Sequence, residues 1–226
     1  MKMQSFYNKL LVGQLFICLQ LFAGICSAQP PEEKGKHFRR TDLVELIKID
    51  STFKLDVRYA TSNNFMHRAM YNQARAFLQK PAAAALVRIN KKLHKQSYGL
   101  LIFDGYRPWS ITKKFWDETP VEKHNFVADP QKGSKHNRGC AVDLSLYDLK
   151  TGKEIEMPSP YDDFTEKAYP TYTGGTAEQR KMRDFLRRIM ESNGFTVNEY
   201  EWWHFDYKDW GKYKISNVPF EQIKTH

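Results

Sequence analysis

The residues best suited to chemistry fall in two short stretches. The first is Ser134-Lys135-His136-Asn137-Arg138-Gly139-Cys140-Ala141-Val142-Asp143, and the second is Glu201-Trp202-Trp203-His204. Catalytic zinc takes about three imidazole or carboxylate ligands and keeps one position open. His136, Asp143 and His204 supply such a set. Asp143 alternates with Ser145 on an expected strand, so its side chain can face a cleft while Val142 and Leu144 face the core. Gly139 permits a backbone bend that brings His136 back over the same site. Glu201 would be a fourth group, a carboxylate that does not bind the metal. Zinc lowers the pKa of a water it binds toward ~7, and a nearby carboxylate can take that proton and pass it to a leaving amine. Trp202 and Trp203 would exclude bulk water and so strengthen the electrostatics. Spacing alone leaves another reading open, in which these are ordinary strand residues, because the pattern is not the His-Glu-x-x-His helix of many zinc proteases.

Asp104-Gly105-Tyr106-Arg107-Pro108 follows an apolar run. An arginine in a loop at a strand end can bind an oxyanion or a carboxylate with charge-assisted hydrogen bonds. It can equally be an exposed turn residue. Cys140, between Gly139 and Ala141, reads as a buried packing thiol and not as a nucleophile.

Certain elements must position these groups. Lys80 to Gln96 carries Ala82, Leu86, Ile89 and Leu93 at helical spacing, with Pro81 suited to a first turn. Ala177 to Ser192 repeats the pattern with Met182, Phe185, Leu186 and Ile189, and Gly194 stands just past its end. A short helix is expected over Ser110 to Trp116 with Ser110 as its cap, and helical signals also occupy Asp42 to Ile47. Strands are expected at Thr52 to Val57, Leu100 to Phe103, Ala141 to Leu146 and Trp202 to Tyr207. Residues 60–71, 118–138 and 157–175 read as loops, and the long polar one at 118–138 is of a length that often carries function. This order predicts a single α+β domain, with a mainly antiparallel sheet flanked by helices.

The chain has 226 residues, 41% hydrophobic and 27% charged, with a net charge of +9. That is globular composition and excludes collagen-like, low-complexity and disordered classes. Residues 1–28 read as a secretory signal peptide: Lys2 and Lys9, an apolar run from Leu10 to Ile25, then Cys26-Ser27-Ala28 as a small-residue cleavage site. The run is too short and too interrupted for a bilayer span, so no stable membrane anchor is expected. Residues 29–40 are polar with two prolines and read as a flexible leader, and residues 41–226 as the catalytic domain. Without the signal only Cys140 remains, so no internal disulfide is possible. Export argues against nucleic acid as a partner. The residual positive charge suits an anionic envelope polymer, or solubility alone.

Taken together, Ser-x-His-x-x-Gly-x-Ala-x-Asp and Glu-Trp-Trp-His resemble the zinc D,D-peptidases of the M15 family. Asp-Gly-Tyr-Arg-Pro, with Arg58-Tyr59-Ala60-Thr61 and Asn64-Phe65, is similar to its D-alanyl-D-alanine dipeptidase (VanX-type) branch. The resemblance spans roughly residues 41–210. It implies the family's zinc fold, shared with the Hedgehog signalling domain. It also implies one Zn2+ per chain held by His136, Asp143 and His204. By the same resemblance Glu201 is base and then acid, Arg107 stabilises the oxyanion, and Ser134 helps position substrate. Asp162, or Asp163 beside it, receives the substrate ammonium. The implied activity is hydrolysis of D-alanyl-D-alanine to two D-alanines, with peptidoglycan fragments as further candidate partners, in the bacterial periplasm. Two alternatives stand beside it: a D,D-carboxypeptidase or endopeptidase acting on stem peptides, and a zinc-bearing module without catalysis.

Overall fold

Leu100 to Phe103 is wholly apolar because it lies at the centre of a sheet. The computed structural model describes residues 29–35 and 37–224, so the expected signal peptide lies outside the described residues. The elements run β1 (Leu43–Glu45), α1 (Leu46–Ile49), β2 (Lys54–Leu55), β3 (Phe77–Gln79), α2 (Lys80–His94), β4 (Tyr98–Asp104), α3 (Trp109–Glu118), β5 (Ala141–Asp148), α4 (Ala177–Glu191), β6 (Phe195–Val197) and β7 (His204–Tyr207). Strands pair in the order β2-β4-β5-β7-β6, with β2 parallel to β4 and every other neighbour antiparallel. A separate antiparallel ribbon joins β1 to β3. The fold is thus α+β with a mainly antiparallel sheet.

Helix α2 buries Ala82, Ala83, Ala85, Leu86, Ile89 and Leu93 along one stripe. Asn90 is polar on that stripe and fully satisfied: its Oδ1 accepts from Leu100 N–H at 3.0 Å and its amide donates to Thr52 Oγ1 at 2.9 Å. It therefore pins the helix to the head of β4 at no cost in unpaired groups. Helix α4 starts with a reciprocal capping box between Thr176 and Gln179, which satisfies two of the otherwise orphaned amides.

Several boundaries differ from expectation, each for a local reason. Leu43–Glu45 pairs with β3, so the helix expected over Asp42 to Ile47 starts only at Leu46 and runs on to Ile49. Helix α3 begins one residue early, and Ser110 does not cap it; instead the Ser110 N–H donates to Asn217 Oδ1 at 2.8 Å, a cap supplied from far along the chain. Of the expected strand at 52–57 only Lys54–Leu55 pairs. Trp202 and Trp203 precede β7, because the Trp202 N–H bonds to the Ala168 carbonyl in a loop (2.8 Å) and not to a strand. Strands β3 and β6, three residues each, were not anticipated.

The polar leader is also not loose. Glu33 forms an ion pair with Arg138 at 2.7 Å and accepts from Ile215 N–H at 3.1 Å. The Arg39 N–H bonds to the Lys212 carbonyl at 2.8 Å.

Candidate active site and metal centre

Three adjacent strands place three acidic or imidazole side chains at one level. Asp104 at the end of β4 registers with Asp143 on β5, across an irregularity after Ile102, and Asp143 registers with His204 on β7. His136 arrives from the 3-10 turn His136–Arg138 just before β5. That turn ends at Gly139 with φ 67°, in the left-handed region, where an added Cβ would lie 2.5 Å from Leu43 Cδ2. Only glycine allows both the bend and the approach of β1.

The ligand atoms converge. His136 Nε2 lies 3.1 Å from His204 Nδ1 and 3.3 Å from Asp143 Oδ1, and His204 Nδ1 lies 3.1 Å from Asp143 Oδ1. The hydrogen bonds on the far sides of the rings assign the tautomers. His136 Nδ1 faces the Gly105 carbonyl at 2.7 Å and must donate to it, while His204 Nε2 donates to Asp206 Oδ1 at 3.0 Å. Both remaining ring nitrogens therefore turn lone pairs inward, toward a buried Asp143 Oδ1 that has no hydrogen-bond partner. Three inward lone pairs in a dry site repel one another unless a cation lies between them. Bonds of ~2.0–2.1 Å in a tetrahedral zinc site set ligand-to-ligand edges near ~3.3–3.4 Å, close to the observed triangle. The donor set and its spacing fit zinc.

Asp143 is held well below the usual carboxylate range: burial opposes its ionisation, but His136 and His204 outweigh that cost. Its other oxygen, Oδ2, accepts from Tyr161 O–H at 3.0 Å and lies 3.6 Å from Arg107. Arg107 is itself clamped. Its Nε donates to Asp104 Oδ2 at 2.9 Å, its Nη2 lies 2.8 Å from the same oxygen, and Asp104 in turn accepts from Tyr71 O–H at 2.9 Å. The guanidinium carbon sits 4.8 Å from the Phe115 ring centre and 5.2 Å from that of Tyr59.

His136, Asp143, His204 and Arg107 line one cleft of about 300 Å³, with Tyr59, Phe115, Glu201, Asp162, Ser134, Trp203 and residues 125–128 of the long polar loop. Glu201 Oε2 is 3.6 Å from His204 Nδ1. Burial pushes the Glu201 carboxyl up to about 8, with Asp143 and Asp162 adding to the rise and His204 opposing it. Asp162 adopts φ 61°, accepts from Tyr59 O–H at 3.0 Å and from Phe65 N–H at 3.3 Å, and is pushed up to about 7 by burial and then by Asp143. Asp163 is turned away; it accepts from Thr165 O–H at 2.6 Å and is not on the cleft wall. The Ser134 hydroxyl accepts from His136 N–H at 3.2 Å, at the start of the ligand-bearing turn. Cys140 is fully buried, and burial pushes its thiol up to about 12, as expected of a packing residue and not of a nucleophile.

A family model described as D-ala-D-ala dipeptidase, within Peptidase_M15, matches residues 39–223. The chain belongs to the M15 peptidase family. It is a metallopeptidase by that membership. The D-alanyl-D-alanine dipeptidase of Escherichia coli (strain K12) is 31% identical over 175 residues, covering 77% of this chain and 89% of that protein. The enzyme of the same name from Enterococcus faecalis (strain ATCC 700802 / V583) is 35% identical over 169 residues, covering 66% and 83%. Among solved structures, the vancomycin-resistance D,D-dipeptidase VanXYg in complex with a D-Ala-D-Ala phosphinate analog is similar at 22% identity and a TM-score of 0.38. The match covers 61% of this chain and 53% of that one.

The site also holds residues to which the sequence alone assigns no role. Asp104 clamps the guanidinium from three residues before Arg107, within one motif. Asp206 stands two residues after His204 on one strand, hence on the same face, and that periodicity is a usable signal. Tyr59 lies in the Arg58-Tyr59-Ala60-Thr61 stretch and Tyr161 beside Asp162, but neither position tells which carboxylate the phenol reaches, and Tyr71 carries no signal at all.

Proposed function

We propose that this M15 peptidase is an exported D-alanyl-D-alanine dipeptidase using one zinc ion per chain, held by His136 Nε2, Asp143 Oδ1 and His204 Nδ1. The observation that carries it is the convergence of two inward imidazole lone pairs on an unpaired, buried carboxylate oxygen, with Glu201 and Arg107 opening onto the same cleft. When bound, zinc supplies Lewis acidity, which polarises the peptide carbonyl and acidifies water. The chain's own residues do the rest. Glu201 takes a proton from the attacking water, whose oxygen bonds to the carbonyl carbon. Arg107 donates from its guanidinium to the oxyanion that develops. Its clamp by Asp104 fixes the guanidinium beforehand, so no reorganisation is needed at the moment of reaction. Glu201 then gives its proton to the departing nitrogen as the carbon–nitrogen bond breaks, releasing two D-alanines. A carboxyl lifted toward neutrality by burial suits both halves of that transfer.

Asp162 receives the substrate ammonium. A free dipeptide pairs with this buried carboxylate, whereas an acylated amine leaves it without a partner, which costs affinity. Ser134, at the start of the turn that carries His136, positions the substrate. Export rests on the amino-acid pattern of residues 1–28 and suggests the periplasm, where cell-wall peptides are the available substrates. Among the described residues no helix is long and apolar enough to cross a membrane.

The test is D-alanine release from D-Ala-D-Ala and from an N-acylated D-Ala-D-Ala, each with zinc and after chelation. Zinc-dependent release from the free dipeptide alone is expected. Comparable release from the acylated substrate would place the protein with the carboxypeptidases, and none from either would leave a zinc-bearing module without catalysis.

A further inference from the structure

His204 is held by more than its strand. Its Nε2–H donates to Asp206 Oδ1 at 3.0 Å, and Asp206 Oδ2 accepts from Lys135 Nζ at 2.6 Å. Lys135 is the residue before His136. One ammonium–carboxylate pair therefore ties the turn that carries His136 to the strand that carries His204. Asp206 is buried, and its backbone is already fixed, because it registers with Ala141 on β5. The Lys135 ammonium lies 5.2 Å from the Trp210 ring centre, on which Arg138 also stacks at 5.6 Å. That ring limits where the lysine can go.

We infer that Lys135 and Asp206 are positioning residues that lock His204 in the tautomer with Nδ1 free and set its separation from His136. The inference rests on the zinc reading above. A neutral imidazole has one lone pair, and the partner of its N–H decides which nitrogen keeps it. If the Nε2–H lost its acceptor, the ring could place its proton on Nδ1 and remove one corner of the triangle. Partners of this kind around metal-binding histidines typically account for 10–100-fold in metal affinity. Lys135 acts one step further out. By engaging Oδ2 it directs Oδ1 at the imidazole and holds the two ligand-bearing segments in register.

The experiment measures zinc affinity of the purified protein by competition with a chromophoric chelator, together with the Tm of the metal-free form. The variants are Asp206→Ala, Lys135→Met and the double variant Asp206→Asn with Lys135→Met. Asp206→Ala should weaken zinc about 10–100-fold. Asp206→Asn, made together with Lys135→Met so that no ammonium competes for its single oxygen, keeps an acceptor for His204 Nε2–H and should recover most of that loss, to the level of Lys135→Met alone. Lys135→Met should weaken zinc several-fold with little change in the metal-free Tm. If the alanine variant does not fold, Lys135→Met and the double variant carry the test. Unchanged zinc affinity in Asp206→Ala or in Lys135→Met would overturn the inference. So would a loss in Asp206→Ala that asparagine fails to rescue, or losses that merely follow a fallen metal-free Tm. Wild-type protein that bound no zinc would instead overturn the reading beneath it.

Discussion

Glu201 and Asp162 are both carboxyls pushed upward by burial, yet their neighbours divide their work. Glu201 lies beside a ligand imidazole, where a proton can pass between water and amine. Glu201→Gln keeps the shape and cannot accept a proton, so turnover should fall by roughly 10²–10⁴ while zinc content by metal analysis stays that of wild type. Asp162 is held instead by a phenol and a backbone amide, which favour its charged form against the burial that raises it to about 7. Below that value it carries a proton and cannot pair with an ammonium. The KM for D-Ala-D-Ala should therefore rise as pH falls along an acid limb. A cation in the ligand triangle favours the carboxylate, so the limb lies at or below pH 7. Asp162→Asn should have a high KM with no such limb, and a wild-type limb surviving in that variant would assign it to another group.

At the scale of elements, four loops meet over the cleft through aromatic rings. Phe164 lies 4.7 Å from Phe65 and stacks on Phe126 at 4.9 Å and 8°, while Tyr200 approaches Phe126 at 6.5 Å. Lys123 Nζ donates to the Phe164 carbonyl at 2.9 Å, which fastens the turn Val121–Phe126 to the loop that carries Asp162. With the substrate amine on Asp162, as proposed, these rings border the path of any chain extending from it, since they line the same cleft. Phe164→Ala should raise kcat/KM for an N-acylated dipeptide relative to the free one by roughly tenfold, the scale of one apolar pocket contact. An unchanged ratio would show that the arch does not select. The pattern of what was legible follows the same scale. Helices α2 and α4 announce themselves because each buries a whole stripe, β4 because its apolar run is covered on both faces, and β5 because it alternates around Asp143. Strands β3 and β6 are too short to show a period, and the Asn217 cap of α3 comes from more than a hundred residues away. In the site, the His136, Asp143 and His204 convergence was legible because a glycine bend and strand alternation are local. The clamps by Tyr161 and Tyr71 are tertiary, and no local spacing encodes them, whereas Asp104 reaches Arg107 from three residues away within one motif.

For the molecule as a whole, the polar leader changes what counts as the domain. Its composition carries no apolar stripe, so nothing in its sequence marks it as ordered. Its order comes from tertiary contacts, chief among them a buried ion pair whose Arg138 and Glu33 side chains are only 7% and 8% exposed. Arg138 also donates to the Tyr213 carbonyl at 2.6 Å, so the leader, the His136 turn and the chain after β7 meet at one guanidinium. Removing one partner of a buried pair typically costs ~3–5 kcal/mol, because the other charge is left without compensation. In a chain of this size each kcal/mol moves Tm by ~2–4 °C. Glu33→Ala should therefore lower Tm by roughly 10 °C in a calorimetric scan. Replacing both partners with apolar residues, Glu33→Leu with Arg138→Met, should return part of that loss, since no charge is then stranded. A leader that merely trails from the domain predicts no change in either variant. Arg138 is also two residues from His136, so loosening the leader should reach the ligand-bearing turn. A parallel fall in zinc affinity in Glu33→Ala would show that the segment helps to hold the metal site in shape.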